Sequence, residues 1–134
     1  MEARSEGEGW NVVIMFFGGV NIGKYRDLEV YKRVETTLNM IYPALSNFPQ
    51  AEKYVLCAQI KNVFINLMKN IMLASKVKSK RKHYQNEADG YLQTCKILIK
   101  LSYDQKYINE NFYHDIDLKL SEIGRMLSGW IKKS

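Results

Sequence analysis

The stretch IDLKLSEIGRMLSGWI, residues 116–131, has apolar side chains at intervals of three and four residues. This interval places them on one face of an α-helix and leaves most of the charged residues on the other faces. We therefore predict a final helix that follows YINENFYHD, residues 107–115, and also has apolar side chains from that segment. The predicted apolar side comprises Ile108, Phe112, Ile116, Leu120, Ile123, Met126, Leu127, Trp130 and Ile131.

The same spacing occurs three more times upstream. It predicts a first helix from about Asp27 to Tyr42, a second from Pro49 to near Lys76 and a third that begins around Ser79. The predicted apolar side of the first helix comprises Leu28, Tyr31, Val34, Leu38 and Ile41. That of the second comprises Leu56, Ile60, Val63, Phe64, Leu67, Ile71 and Ala74. That of the third comprises Tyr84, Ala88, Tyr91, Leu92, Cys95, Leu98, Ile99 and Tyr103.

The two prolines of the chain both lie in the connection between the first two helices. Pro43 disfavours continuation of the first helix, so PALSNFP, residues 43–49, is predicted to be a turn. Pro49 suits the first position of the second helix. Asn47 or Phe48 would then lie near the helix cap, and Glu52 would face the positive end of the helix dipole.

Four amphipathic segments with short connectors predict an all-α fold, an antiparallel up-down-up-down four-helix bundle over residues 25–134. Residues 1–24 do not follow the helical pattern and are predicted to form a separate amino-terminal extension. Within it, NVVIMFF, residues 11–17, is compatible with a docked strand or with a poorly ordered segment.

The composition is that of a globular domain. The chain has 134 residues with 46% hydrophobic and 25% charged residues, enough for one domain with a single core. The acidic amino end does not resemble a signal peptide, and the apolar run at residues 10–20 is shorter than the roughly 20 residues of a membrane helix. Cys57 and Cys95 lie in apolar helical patterns without metal-ligand spacing, which indicates free thiols in a reduced, cytoplasmic compartment.

A basic surplus characterises the chain. The formal net charge is +6, and from Trp10 onward 19 basic residues stand against 11 acidic ones, a net +8. The densest part is KVKSKRK, residues 76–82, in which Lys76, Lys78, Lys80, Arg81 and Lys82 occur without an acidic residue. Such a run is compatible with a solvated loop or with a site for phosphate groups.

Lys96 and Lys100 form a second basic feature. They lie four residues apart in CKILIKL, where like charges repel by about 0.2–0.5 kcal/mol. Their stems can cover the edge of the core, or the two ammonium groups can form a positive stripe that meets an acidic surface or a nucleic-acid backbone.

The last helix also contains a line of small residues, Ser121, Gly124 and Ser128. An interior glycine costs about 1 kcal/mol relative to alanine, so a close approach of another backbone is expected to offset that cost. Arg125 flanks the line, and Gly129 and Trp130 follow it. Packing against another helix of the bundle and contact with another subunit both explain the line.

No pattern of an enzyme, cofactor or metal site is present in the sequence. A di-iron bundle needs Glu-x-x-His on two helices. The nearest match is Glu110 with His114, at the wrong offset. Phosphate-binding loops, nucleophile elbows and metalloprotease motifs are absent. A binding or assembly protein without cofactor or metal is therefore expected.

EIGRMLSGWIKK, residues 122–133, closely resembles the carboxy-terminal helix of a family of four-helix-bundle proteins. That family includes proteins encoded in intervening sequences of bacterial 23S rRNA genes and the accessory variability (Avd) protein of diversity-generating retroelements. YPALSNFPQAEKYVLCAQI, residues 42–60, resembles the first turn and the second helix of the family. Lys96 and Lys100 stand where relatives tend to have an arginine pair, which weakens bidentate phosphate recognition.

The resemblance implies a homopentameric, barrel-like assembly with a positive surface. In the retroelement branch the assembly binds the reverse transcriptase and nucleic acid, RNA or DNA, and supports mutagenic copying of a template RNA. The lysines and Arg81 would provide the binding surface, and the small-residue line with Arg125 would serve assembly. The rRNA-insert branch, with a structural or unknown role, remains the alternative.

Overall fold

The computed structural model describes residues 25–134, with side chains from residue 29 onward. Four α-helices account for most of this part: α1 Tyr25–Ala44, α2 Leu56–Lys76, α3 Arg81–Asp104 and α4 Glu110–Lys133. Short 3₁₀-helices lie at Leu45–Asn47, Gln50–Glu52 and Lys78–Lys80, and no strand occurs between residues 25 and 134. The all-α prediction is confirmed. The predicted extension at residues 1–24 and the side chain of Leu28 lie outside the described residues.

The helices form a four-helix bundle because each one packs against two neighbours. α1 packs on α2 and α4, and α3 packs on the same two helices. Most predicted core positions are buried. The largest fully buried apolar side chains are Val30, Ile41, Ile60, Phe64, Leu67, Ile71, Leu92, Ile116, Leu120, Ile123 and Leu127. Predicted aromatic positions such as Tyr31, Tyr84 and Phe112 are only partly buried against this core.

Several polar residues in the core were not predicted by the apolar pattern. Thr37 is buried because its hydroxyl donates to the carbonyl of Arg33 at 2.8 Å, and Ser102 donates to Leu98 at 2.8 Å in the same manner. Each of these hydrogen bonds stays within its own helix, so the polar atom has a partner without help from another element.

The connection between α1 and α2 differs from the prediction. α1 continues through Pro43 to Ala44. Proline lacks the N–H that would reach residue 39, but Asn39 is exposed and water can satisfy its carbonyl. Pro49 does not start α2. It precedes the 3₁₀-helix Gln50–Glu52, and α2 begins only after Val55, whose φ of −115° and ψ of −84° interrupt the helical path.

α4 begins at Glu110, because the side chain of Asn109 accepts a hydrogen bond from the backbone N–H of Phe112 at 2.8 Å. Ile108 therefore lies in the α3–α4 connection. The two cysteines are buried and free, as predicted. Burial raises the pKa of the Cys95 thiol to about 12 and also raises the pKa of Cys57.

Candidate functional site

Arg81, in the basic run between α2 and α3, has a structural role. Arg81 donates from Nε to the carbonyl of Ala74 at 2.8 Å and from Nη2 to the carbonyl of Ser75 at 3.1 Å. Its guanidinium thus satisfies carbonyls at the end of α2, where the helix dipole favours a cation. The lysines at positions 76, 78, 80 and 82 are exposed.

A hydrogen bond brings the end of α4 to this run. The Nε2 of Gln85, on the first turns of α3, donates to Oγ of Ser134 at 2.9 Å, although Gln85 is fully buried. Lys132 and Lys133 immediately precede Ser134. We call this part of the molecule the basic end, and it consists of Lys76, Lys78, Lys80, Arg81, Lys82, Lys132 and Lys133. Sequence spacing did not predict that α4 contributes to it.

A groove of about 570 Å³ runs between α3 and α4. Its walls contain most of the residues of α4 that the sequence assigned to assembly, and one lysine of the Lys96–Lys100 pair of α3. The lining residues are Asp89, Gln93 and Lys96 from α3 and Ser121, Gly124, Arg125, Ser128, Gly129 and Lys132 from α4. The groove exists because side chains on the α3-facing edge of α4 are small.

The two glycines of the groove differ in their surroundings. A Cβ on Gly124 would meet Cδ2 of Leu92 at 3.4 Å, so this glycine lies at the close approach of α4 to α3. A Cβ on Gly129 would meet nothing within 4 Å. Packing within the bundle therefore explains Gly124 and does not explain Gly129. Trp130, from the same predicted set, is 4% exposed and belongs to the core.

Lys96 and Lys100 do not share one environment. The Nζ of Lys100 lies 2.8 Å from Oδ1 of Asp104, and this ion pair on the helix surface raises the pKa of Lys100. Lys96 lies on the wall of the groove instead. The structure thus places one member of the predicted pair beside an acid of its own helix and the other on the wall of the groove that α3 forms.

The groove is positively charged. Lys96, Arg125 and Lys132 line it with a single carboxylate, Asp89. The amide of Gln93 donates to that carboxylate at 3.5 Å, a long contact. Within residues 29–134, none of the three cations forms an ion pair. The sequence analysis did not single out Gln93, Asp89 and Lys132. Helical spacing could have found them, because Gln93 and Asp89 lie three and seven residues before Lys96, and Lys132 lies four residues after Ser128.

The described residues show no metal-binding arrangement. In residues 29–134 no group of three or more His, Cys, Asp or Glu side chains could hold a metal ion. Glu110 and His114 form only a surface pair, with 3.6 Å between Oε2 and Nε2. None of the helices α1 to α4 is long and apolar enough to cross a bilayer.

Comparison with protein families gives a match over residues 28–134 to the family described as bAvd-like. No curated protein matches the chain. The matched region includes nearly all of α1, the other three helices, the basic end and the groove.

Proposed function

This chain belongs to the bAvd-like family, and from that membership we propose that it is a non-catalytic accessory protein of a diversity-generating retroelement. In this role it binds the reverse transcriptase and nucleic acid, the template RNA above all, and supports mutagenic synthesis of cDNA. The family match over the whole bundle is the observation that carries the proposal.

The distribution of charge supports nucleic acid as a partner. The basic end and the groove combine lysines from the α2–α3 connection with cations of α3 and α4. Phosphate contacts by such side chains release counterions, so binding is expected to weaken steeply with salt. These lysines are far apart in the sequence, and they can contact the same nucleic-acid strand because the fold places them on one part of the surface.

We propose further that the protein acts as a homo-oligomer, a pentameric ring of antiparallel bundles, in the cytoplasm. Two contacts support the antiparallel order. The rings of Phe48 and Tyr107 lie 5.2 Å apart, which joins the α1–α2 and α3–α4 connections, and the Gln85–Ser134 hydrogen bond joins the start of α3 to the end of α4. A ring would bring the basic ends of several copies together.

Gene neighbourhood separates this proposal from the rRNA-insert alternative. A reverse transcriptase gene with paired repeats beside the coding sequence supports the accessory role, and an rRNA operon contradicts it. The family match, described by reference to the accessory protein, favours the first outcome.

The binding experiment uses the purified chain, the neighbouring reverse transcriptase and the template RNA. We expect co-purification of the three, and a particle mass by light scattering that is several times the 15.7 kDa of one chain. A Lys80→Gln, Lys82→Gln variant should lower the slope of log affinity against log salt by about 1.4 on a single strand. The matched control, Lys69→Gln with Lys106→Gln, removes two exposed lysines elsewhere and should leave the slope nearly unchanged. A monomer that retains neither partner would refute the proposal.

A further inference from the structure

We infer that the groove between α3 and α4 binds the phosphodiester backbone of a single nucleic-acid strand, with Lys96, Arg125 and Lys132 in contact with its phosphates. The inference rests on the proposed function, which gives the protein a nucleic-acid partner but assigns no strand to this groove. It also changes the role of the small-residue line, from a subunit contact to the floor of a ligand site.

The positions of the cations suit an extended polyanion. Arg125 and Lys132 are seven residues apart on α4, which corresponds to about 10 Å along the helix axis. Lys96 lies on the opposite wall. A compact anion does not extend over the distance between Arg125 and Lys132, whereas a chain of phosphates along the groove does. The axes of packed helices are only about 8–10 Å apart, so the groove is a narrow furrow on the surface of α3 and α4, along which one flexible strand can lie.

These cations differ from the basic groups that the fold uses internally. Arg33 pairs with Glu122, Lys100 with Asp104, and Arg81 donates to carbonyls of α2. In the part of the chain that the structure describes, the groove cations have no ion pair of this kind. Charge complementarity therefore points to an anionic occupant, because Asp89, the one lining carboxylate, and Glu122, which interacts electrostatically with Arg125, do not balance the three cations.

The floor of the groove offers space and hydrogen-bond donors. Gly129 is half-buried, yet nothing lies within 4 Å of the position of a Cβ there. A helical glycine costs about 1 kcal/mol relative to alanine, and no contact within the described chain offsets that cost. The hydroxyls of Ser121 and Ser128, on the same edge, are groups that donate to phosphate oxygens in many complexes.

A matched pair of glycine variants tests the groove by volume alone. Gly129→Gln fills the groove without a change of charge. Gly90→Gln introduces the same side chain on α3 outside the groove, where a Cβ also has open space. The probe is a labelled oligouridylate, measured by fluorescence anisotropy at fixed salt. We expect Gly129→Gln to weaken binding about tenfold, as for the loss of one charged hydrogen bond, and Gly90→Gln to bind like the parent.

A second arm removes the charges. The triple variant Lys96→Gln, Arg125→Gln, Lys132→Gln should reduce the salt slope for the oligouridylate by about 2, at roughly 0.7 per phosphate contact on a single strand. Polyglutamate, a polyanion without phosphates, should compete poorly with the oligouridylate for the parent protein. Equal competition by polyglutamate would overturn the assignment of phosphodiester chemistry.

The outcomes separate the groove from the proposed function. If the parent binds RNA and Gly129→Gln binds equally well, the groove assignment is wrong and the proposed function stands. If Gly129→Gln keeps its affinity but changes the mass measured by light scattering, the groove is a contact between copies and the inference is again wrong. If the parent binds no nucleic acid, the nucleic-acid part of the proposed function fails together with the inference.

Discussion

The two ends of the bundle use their polar side chains in different ways. At the end where the α1–α2 and α3–α4 connections meet, polar groups bind to one another. Tyr107 donates to Glu52 at 3.0 Å, which raises the pKa of the tyrosine. The Nζ of Lys53 donates to the carbonyls of Leu45 and Ser46 at 3.0 and 2.7 Å. We call this the aromatic end, because the contact between Phe48 and Tyr107 lies at its centre.

At the basic end, exposed lysines flank Arg81, whose guanidinium donates to backbone carbonyls. Arg81 donates hydrogen bonds to the backbone of α2, whereas Lys78, Lys80 and Lys82 are exposed. This difference between the two ends shows that a positive charge is not enough to identify a residue that binds a partner. A lysine such as Lys53 is part of the architecture, and the lysines that the architecture leaves unused are the ones available to a partner.

The largest effect is expected at the aromatic end. Phe48 is 4% exposed, so Phe48→Ala should lower the free energy of unfolding by about 3–5 kcal/mol, because the lost ring leaves a cavity between the connections. Tyr54→Ala is the control, since Tyr54 is 85% exposed and its loss should change stability by less than about 0.5 kcal/mol. Urea unfolding followed by circular dichroism measures both. Equal losses would show that the aromatic end is not held by its buried ring.

A smaller effect on stability should distinguish Arg81 from the exposed lysines of the basic run. Arg81→Gln removes two hydrogen bonds from a charged donor to the end of α2, and we expect a loss of about 1–2 kcal/mol in unfolding free energy. Lys82→Gln should leave stability within about 0.5 kcal/mol and instead lower the salt slope of RNA binding. The same urea titrations compare the two variants. A stable Arg81→Gln protein would remove the distinction between structural and free cations.

The sequence was sufficient to predict the four helices and their buried faces, but it was insufficient to predict the paths of the connections. Apolar spacing identified Ile60, Phe64 and Leu67 because one buried face of a helix produces a regular signal. The start of α2 was wrong because Pro49 fits a helix start locally. The contact between Glu52 and Tyr107, which lie 55 residues apart, stabilises a different path and has no local signal.

The candidate site was predicted in pieces. The sequence analysis recognised the basic run and the small-residue line. It could not show that the contact between Gln85 and Ser134 brings the end of α4 to the basic run, or that the packing of α3 against α4 places Lys96 across from the small-residue line. Lys100 differs from Lys96 by a local signal that the sequence analysis did not use, since Asp104 lies four residues after Lys100 and forms an ion pair with it. Pairwise contacts of this kind decide which charges remain available.

A still smaller effect is expected from alanine substitutions at two glycines, and here the free energy of unfolding should increase. Gly90→Ala should raise the free energy of unfolding by about 0.8–1.0 kcal/mol, because alanine is the better helix former and the site is open. Gly124→Ala should gain less, since its Cβ must sit 3.4 Å from Cδ2 of Leu92. Thermal and urea unfolding measure both variants. A larger gain at Gly124 would mean that α3 and α4 are not in close contact there.

The smallest effect concerns the ion pair between Arg33 of α1 and Glu122 of α4, which links two helices on the surface between the two ends. The hydrogen bond from Arg33 lowers the pKa of Glu122 below its ordinary value of 4.5. The ionised carboxylate therefore favours the folded state above that value, and its contribution is lost as the pH falls through the folded-state pKa. Glu122→Gln should unfold at slightly lower urea than the parent at neutral pH, and the difference should vanish in acid. Glu87→Gln changes an exposed glutamate of α3 that has no ion pair with the described residues, and it should show no such pH-dependent difference. A difference between Glu122→Gln and the parent that persisted at low pH would have to arise from packing rather than from charge, because the carboxyl is then neutral in both the folded and the unfolded chain.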